Sequence, residues 1–310
     1  MKQYILKRIL LTLPVALGVC TLVFLLIHLI PGDPVEIMLG ESAQISDKVQ
    51  LRRELGLDQP LARQYANFLL QLFQGNLGQS LHNQRPVFDL VLERYPATLQ
   101  LGLAAMLIAI LLAFPLGLAS AMNRHSLVDR GSMLFSLLSI SIPHFWLGPM
   151  LIIVFAVWLD WLPVGGRGDI TYLILPAITM GTSMAAILTR MVRSSLIESL
   201  RQEYITVARA KGLTRLKAAI KHALRNALIP VVTILGLQIG SLLTGSIITE
   251  TIFAWPGIGR LTIQAIQSRD YPLVQGCILI IALSYVIINL LTDLTYALID
   301  PRIRYGRRQS

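Results

Sequence analysis

The sequence predicts an all-α integral membrane protein with six transmembrane helices and a helical segment outside the membrane after the first. Three observations carry this reading. Of the 310 residues, 54% are apolar and only 14% charged, with a mean hydropathy of +0.64; a soluble domain carries about a quarter charged residues. Six apolar runs are each long enough, at ~1.5 Å per residue, to cross a bilayer core of about 30 Å. Finally, 18 of the 27 lysines and arginines fall at the two termini and in every second connection between the runs, as the positive-inside rule requires. The +10 net charge is therefore topological, and nucleic acid is not an expected partner.

Lys2, Lys7 and Arg8 precede the first run, 9–30, which reads as a retained anchor with its N-terminus in the cytosol. Pro31, Gly32, Asp33 and Pro34 stop it. Residues 31–97 hold eight acids and six bases between turn signals and are placed outside. There Ser46 is expected to cap a short helix that Gly56 ends, and Asp58 with Pro60 to open another that ends at Gly75. Leu61, Tyr65, Phe68, Leu69 and Leu72 share one face of that second helix and need a partner, either the outer ends of the membrane helices or the lipid interface. The remaining runs are 98–122, 132–158, 172–188, 228–249 and 273–294, so residues 98–310 form a five-helix core. Arg302, Arg304, Arg307 and Arg308 place the C-terminus in the cytosol as well. No internal repeat relates the runs, which removes the inverted-repeat architecture of many secondary transporters.

The longest polar stretch, 190–227, carries nine bases against two acids and reads as a cytosolic loop built helix, glycine corner, helix, with the corner at Gly212. Chemistry is absent from the pattern. There is no phosphate-binding loop, no His-Glu-x-x-His, no Gly-x-Ser-x-Gly and no paired intramembrane aspartates. Cys20 and Cys277 lie within apolar runs, and His28, His82, His125, His144 and His222 are scattered, so neither a disulfide framework nor a metal site is expected. Ionisable residues within the runs would mark an ion relay. There are almost none: Asp293 is expected in a structural role beside Asn289 and the basic tail, and His144 is the exception. His144, with Phe145, either packs by hydrogen bonds or lines a path, in a span that Pro143 and Pro149 should kink. Gly236 and Gly240 imply close helix packing. In the connection 250–272, Phe253 and Trp255 are either an interfacial anchor or a lip at the outer mouth. A transporter without its own nucleotide site or ion relay must take energy from a partner, and 190–227 is the place to receive it. An ion-coupled carrier or a passive channel is the alternative.

At that loop the sequence resembles a known family. Residues 204–213 (Tyr-Ile-Thr-Val-Ala-Arg-Ala-Lys-Gly-Leu) and 222–230 (His-Ala-Leu-Arg-Asn-Ala-Leu-Ile-Pro) are similar to the coupling loop of ABC importer permeases of the dipeptide, oligopeptide and nickel branch. Stretches 55–61, 75–80, 253–260, 269–272 and 300–305 agree, so the resemblance covers the chain. It is closest to the first, B-type, of that branch's two permease subunits. Against the general permease signature only Ala208, Gly212 and Leu224 fit. The resemblance implies a type I importer fold in a prokaryotic plasma membrane and a subunit that is not itself an enzyme. It implies a second related permease, two ATPase subunits that bind ATP-Mg, and an extracytoplasmic binding protein, with no cofactor in this chain. It further implies that Tyr204, Val207, Ala208, Lys211 and Gly212 couple to an ATPase subunit. The cargo it implies is a dipeptide, an oligopeptide, glutathione or a nickel chelate.

Overall fold

The computed structural model describes residues 2–29, 33–40 and 43–299, and among these the chain is helical with a single isolated β-bridge, Gln79 to Pro86. Five helices are long and apolar enough to cross a membrane: Ile5–Leu29, Val87–Met122, Thr171–Leu200, Arg215–Gly240 and Tyr271–Thr295. A bent pair, Leu127–Ser141 and His144–Trp158, makes the sixth if its two arms count as one span.

In chain order the elements are α1 (Lys2–Leu29), α2 (Pro34–Leu39), α3 (Ile45–Glu54), α4 (Leu61–Phe73), α5 (Val87–Met122), α6 (Leu127–Ser141) and α7 (His144–Leu151), which runs into a π-helical turn, Ile152–Trp158. There follow α8 (Thr171–Leu200), α9 (Glu203–Ala210), α10 (Arg215–Ala218), a π-helical turn (Ala219–Ala223), α11 (Leu224–Ile252), α12 (Ile258–Gln267) and α13 (Tyr271–Ile299).

Several boundaries differ from expectation, each for a physical reason. α5 begins at Val87, well before the expected span, because Asp89 suits the positive N-terminal turn of a helix and Val87, Leu90 and Val91 are buried there. α8 runs on to Leu200, so the expected span and the start of the 190–227 stretch, with Arg190 and Arg193, form one continuous helix. The third span is broken rather than kinked: its arms diverge by 104°. Ile142 is extended (ψ 116°), as the residue before a proline prefers, and Pro143 follows it in the same region. α3 starts one residue before Ser46, which bonds to neighbouring side chains and caps nothing.

Small residues set the packing of the central helices. α5 and α8 run parallel, with Ala105, Ala109, Ala113, Ala177 and Ala185 buried between them. A Cβ on Gly181 would stand 2.8 Å from the Ala105 carbonyl, so the two backbones approach as only glycine permits. Gly236 and Gly240 of α11 leave room instead for side chains of α13, Thr292 and Tyr285. α1 lies antiparallel to α13: Gln275 Nε2 donates to the Val23 carbonyl at 3.0 Å, and Arg8 pairs with Asp293 at 2.7 Å. Asp293 is thus structural, with Arg8 as its partner; the basic tail lies outside the described residues.

The apolar face of α4 finds the first of its two expected partners. Phe68, Leu69 and Leu72 pack around Cys20, Val23 and Leu279, and Tyr65 bonds to Thr21 across 2.7 Å. Polar segments collect at two opposite ends of the bundle, one around α9 and one around α12.

Candidate functional site

At the α9 end, α8 stops at Leu200 and Arg201 and Gln202 turn the chain into α9. This short helix is amphipathic. Ile205 and Ala208, three residues apart, are buried against α10 and the π turn of the same chain. Tyr204, Val207 and Lys211 lie at i, i+3 and i+7 on an adjoining, exposed flank, Val207 being 54% exposed. Ala208 is therefore not on the face presented outward: its small side chain lets α9 approach its own protein. Gly212 then takes φ +88°, a left-handed conformation that reverses the chain, with open space where a side chain would stand. The Thr214 hydroxyl caps α10 by accepting the Lys217 N–H at 3.3 Å.

Toward the α9 end of α8 an ion pair, its carboxylate buried and its guanidinium half-buried, joins three helices. Arg193 of α8 donates from Nε (2.6 Å) and Nη2 (2.9 Å) to the two oxygens of Asp129 on α6. The Ser120 hydroxyl of α5 and the His125 N–H complete the carboxylate. This fork geometry fixes the relative rotation of the helices as well as their distance.

The α12 end is built around two carboxylates that, among the described residues, form no salt bridge. Glu250, fully buried at the end of α11, accepts from the Thr98 hydroxyl of α5 at 2.7 Å and from the Arg260 N–H at 3.0 Å, and also from Ser246 and the Gly259 N–H. Asp270, equally buried, accepts from the Ser80 hydroxyl at 2.5 Å and from the Leu273 N–H at 3.2 Å, so it caps α13 while holding the segment before α5. Phe253 and Trp255 are each 1% exposed. Trp255 Nε1 donates to the Ala97 carbonyl at 2.8 Å, Arg167 lies over its ring at 5.9 Å, and the Gly166 N–H bonds the Phe253 carbonyl. An interfacial anchor shows its ring to lipid headgroups; Trp255 shows almost none of it in this chain.

Comparison with known proteins places this architecture. A family model described as the binding-protein-dependent transport system inner membrane component matches residues 113–305, and its N-terminal companion matches residues 1–102. The chain belongs to that family. Its curated relatives include the dipeptide transport system permease protein DppB of Escherichia coli K12, 42% identical over 99% of this chain and 100% of that protein. The di/tripeptide transport system permease protein DppB of Pseudomonas aeruginosa is 45% identical over the same shares. The glutathione transport system permease protein GsiC of Salmonella typhimurium is 42% identical over 98% of this chain and all of that protein. In fold the chain is similar to the MetNI methionine ABC transporter in inward-facing conformations, with a TM-score of 0.53 and 18% identity, covering 68% of this chain and 96% of the other. The protein is a multi-pass ABC transporter permease subunit, and the carrier and channel alternatives gain no support.

In this permease His144 opens α7, where both ring nitrogens meet α8: Nδ1 lies 3.0 Å from the Thr179 carbonyl and Nε2 3.3 Å from the Ser183 hydroxyl. Phe145 beside it points away and is 62% exposed. Among the described residues no cluster of three or more His, Cys, Asp or Glu could hold a metal ion. Sequence reasoning passed over Asp129, Glu250 and Asp270, whose partners lie up to 190 residues away. One signal was available: Asp129 is an acid in a connection whose side of the membrane favours bases.

Proposed function

We propose that this permease forms half of the translocation path of a binding-protein-dependent importer for short peptides or a peptide-like solute such as glutathione. A second related permease supplies the other half, two ATPase subunits bind ATP-Mg at the α9 end, and an extracytoplasmic binding protein delivers cargo at the α12 end. Lys and Arg placement supports a cytosolic α9 end and cytosolic termini. The full-length likeness to dipeptide, di/tripeptide and glutathione permeases supports the cargo class.

The observation that carries the proposal is the form of α9: an amphipathic helix seated on its own protein through Ile205 and Ala208, offering Tyr204, Val207 and Lys211 outward. Such a helix transmits a push because its inner face is packed and its outer face is free to be gripped. Gly212 supplies the corner that returns the push into α10 and α11. His144 holds α7 to α8, and Phe145 is the residue of that pair left to face the path. Phe253 and Trp255 serve the outer mouth as its buried frame.

Uptake of labelled dialanine, glutathione and a nickel chelate by cells lacking the chain, and by the same cells re-expressing it, tests the cargo. Restored dialanine or glutathione uptake that survives a protonophore while ATP is kept high is the expected result; restoration of the chelate alone, or collapse with the protonophore, contradicts it. Impermeant labelling of single cysteines tests orientation, with Gln64 expected to react from outside and Thr214 to be protected in intact cells.

A further inference from the structure

A buried carboxylate with no cation beside it is costly unless hydrogen bonds replace its hydration. Glu250 meets that condition with donors from three elements: the Thr98 hydroxyl of α5, Ser246 of its own helix α11, and the N–H groups of Gly259 and Arg260 in the first turn of α12. The first turn of a helix leaves its N–H groups unpaired and carries a partial positive charge, so the carboxylate completes α12 as α12 completes the carboxylate. Thr98 closes the circuit, since its hydroxyl donates to Glu250 and accepts the Ile258 N–H at 2.9 Å. Around this centre the chain has no room for side chains. A Cβ on Gly257 would run into the Glu250 carboxyl group, and one on Gly259 would stand 2.6 Å from the Ile247 Cα. The stretch Phe253 to Arg260 therefore wraps one side chain, and its two glycines mark where the wrap is tightest.

α11 connects this centre directly to the other end of the molecule. From Arg215 through the π turn to Ile252 the chain is continuously helical, with Pro230 inside it, a path of about 57 Å at ~1.5 Å per residue. It starts beside α9 and ends at Glu250 and its neighbours.

We propose that Glu250 is a positioning residue that makes α12, α5 and the end of α11 one rigid body, so that movement delivered at α9 reaches the α12 end through the continuous α10–α11 helix. The inference rests on the reading of α9 as the ATPase contact. Thr98 is the second member of the device, because it links the carboxylate to both α5 and α12. Nothing in Glu250 touches cargo; it acts through the helices it holds.

The test uses the assembled transporter with its partner subunits, spin-labelled at Ile248 on α11 and Ile266 on α12, both about half exposed. Wild type should give one narrow distance distribution with the same mean in nucleotide-free and ATP-vanadate states. Glu250→Ala should broaden it and lower uptake roughly 5- to 150-fold, the range of an ordinary coupling loss, with ATPase subunits copurifying at wild-type levels. Should that variant fail to fold, Thr98→Val keeps the shape and removes the hydroxyl, and should lose uptake that Thr98→Ser retains. A wild-type distance that shifts with ATP, wild-type uptake in Glu250→Ala, or equal uptake in Thr98→Val and Thr98→Ser would each overturn the proposal. Failure of the α9 reading is separable: it shows as ATPase retention when α9 is altered and leaves the Ile248–Ile266 distance unaffected.

Discussion

Each end of this permease is tied by buried carboxylates, but the two ends balance the charge differently. At the α9 end Asp129 is met by the Arg193 guanidinium, a full cation in fork geometry. At the α12 end Glu250 and Asp270 are met by hydroxyls and by N–H groups of helix starts. A pair of full charges is strong but fails badly when half is removed, because the survivor stays buried. A carboxylate among backbone donors fails more gently, since each donor is a partial charge and a neutral acceptor can take some of them. The lesson is mechanical as well as energetic. The ion pair joins long helices toward the α9 end, and the backbone clasp joins α12 to α5 and the end of α11 at the other.

Substitutions sharpen the contrast. Arg193→Leu should cost most, about 3 to 5 kcal/mol, because it strands the Asp129 carboxylate in a buried site. The loss is read as a lower thermal midpoint of the detergent-solubilised protein. Adding Asp129→Leu to it should recover part of the loss, the non-additivity expected of contacting residues. Glu250→Gln should cost less, about 1 to 3 kcal/mol, as it keeps one acceptor and leaves other donors unmet. If Glu250→Gln proves the more damaging of the two in the same assay, the contrast between the ends is wrong. Gly212→Ala should cost less again, ~1 to 2 kcal/mol, through backbone strain alone, since its φ is +88° and no atom crowds the site. Lys217→Ala, on an exposed side chain, should move the midpoint by no more than about 0.5 kcal/mol.

Legibility in the sequence followed the range of the interactions. Apolar runs and charge placement marked the long helices, since both signals are local in the chain. The Gly212 corner was legible for the same reason. Helix ends were not: α5 reaches back to Val87 past Glu93 and Arg94, and α8 forward past Arg190 and Arg193, because charged residues sit comfortably on a helix that leaves the membrane. Ala208 illustrates a different limit. A small residue in a coupling stretch suggests close approach, but not which neighbour is approached. The i, i+3 pairing of Ile205 with Ala208 against the more polar face of Tyr204 and Lys211 held the answer. The carboxylate clasps were out of reach, for Glu250 is paired with Thr98 and Asp270 with Ser80 across most of the fold.

The outward face of α9 is where the proposed ATPase contact can be broken most directly. Val207→Asp places a charge on that face without touching the Ile205 and Ala208 packing, so insertion, stability and partnership with the second permease should be unchanged. If an ATPase subunit covers Val207, the buried charge should weaken its docking by about 2 to 5 kcal/mol, roughly 30-fold or more in affinity. The measurement is copurification of the ATPase subunits with the solubilised permease, alongside Lys217→Ala as control. Loss of the ATPase from Val207→Asp is expected, with Lys217→Ala behaving as wild type; ATPase retained at wild-type levels with transport still coupled would show that this face is not the contact.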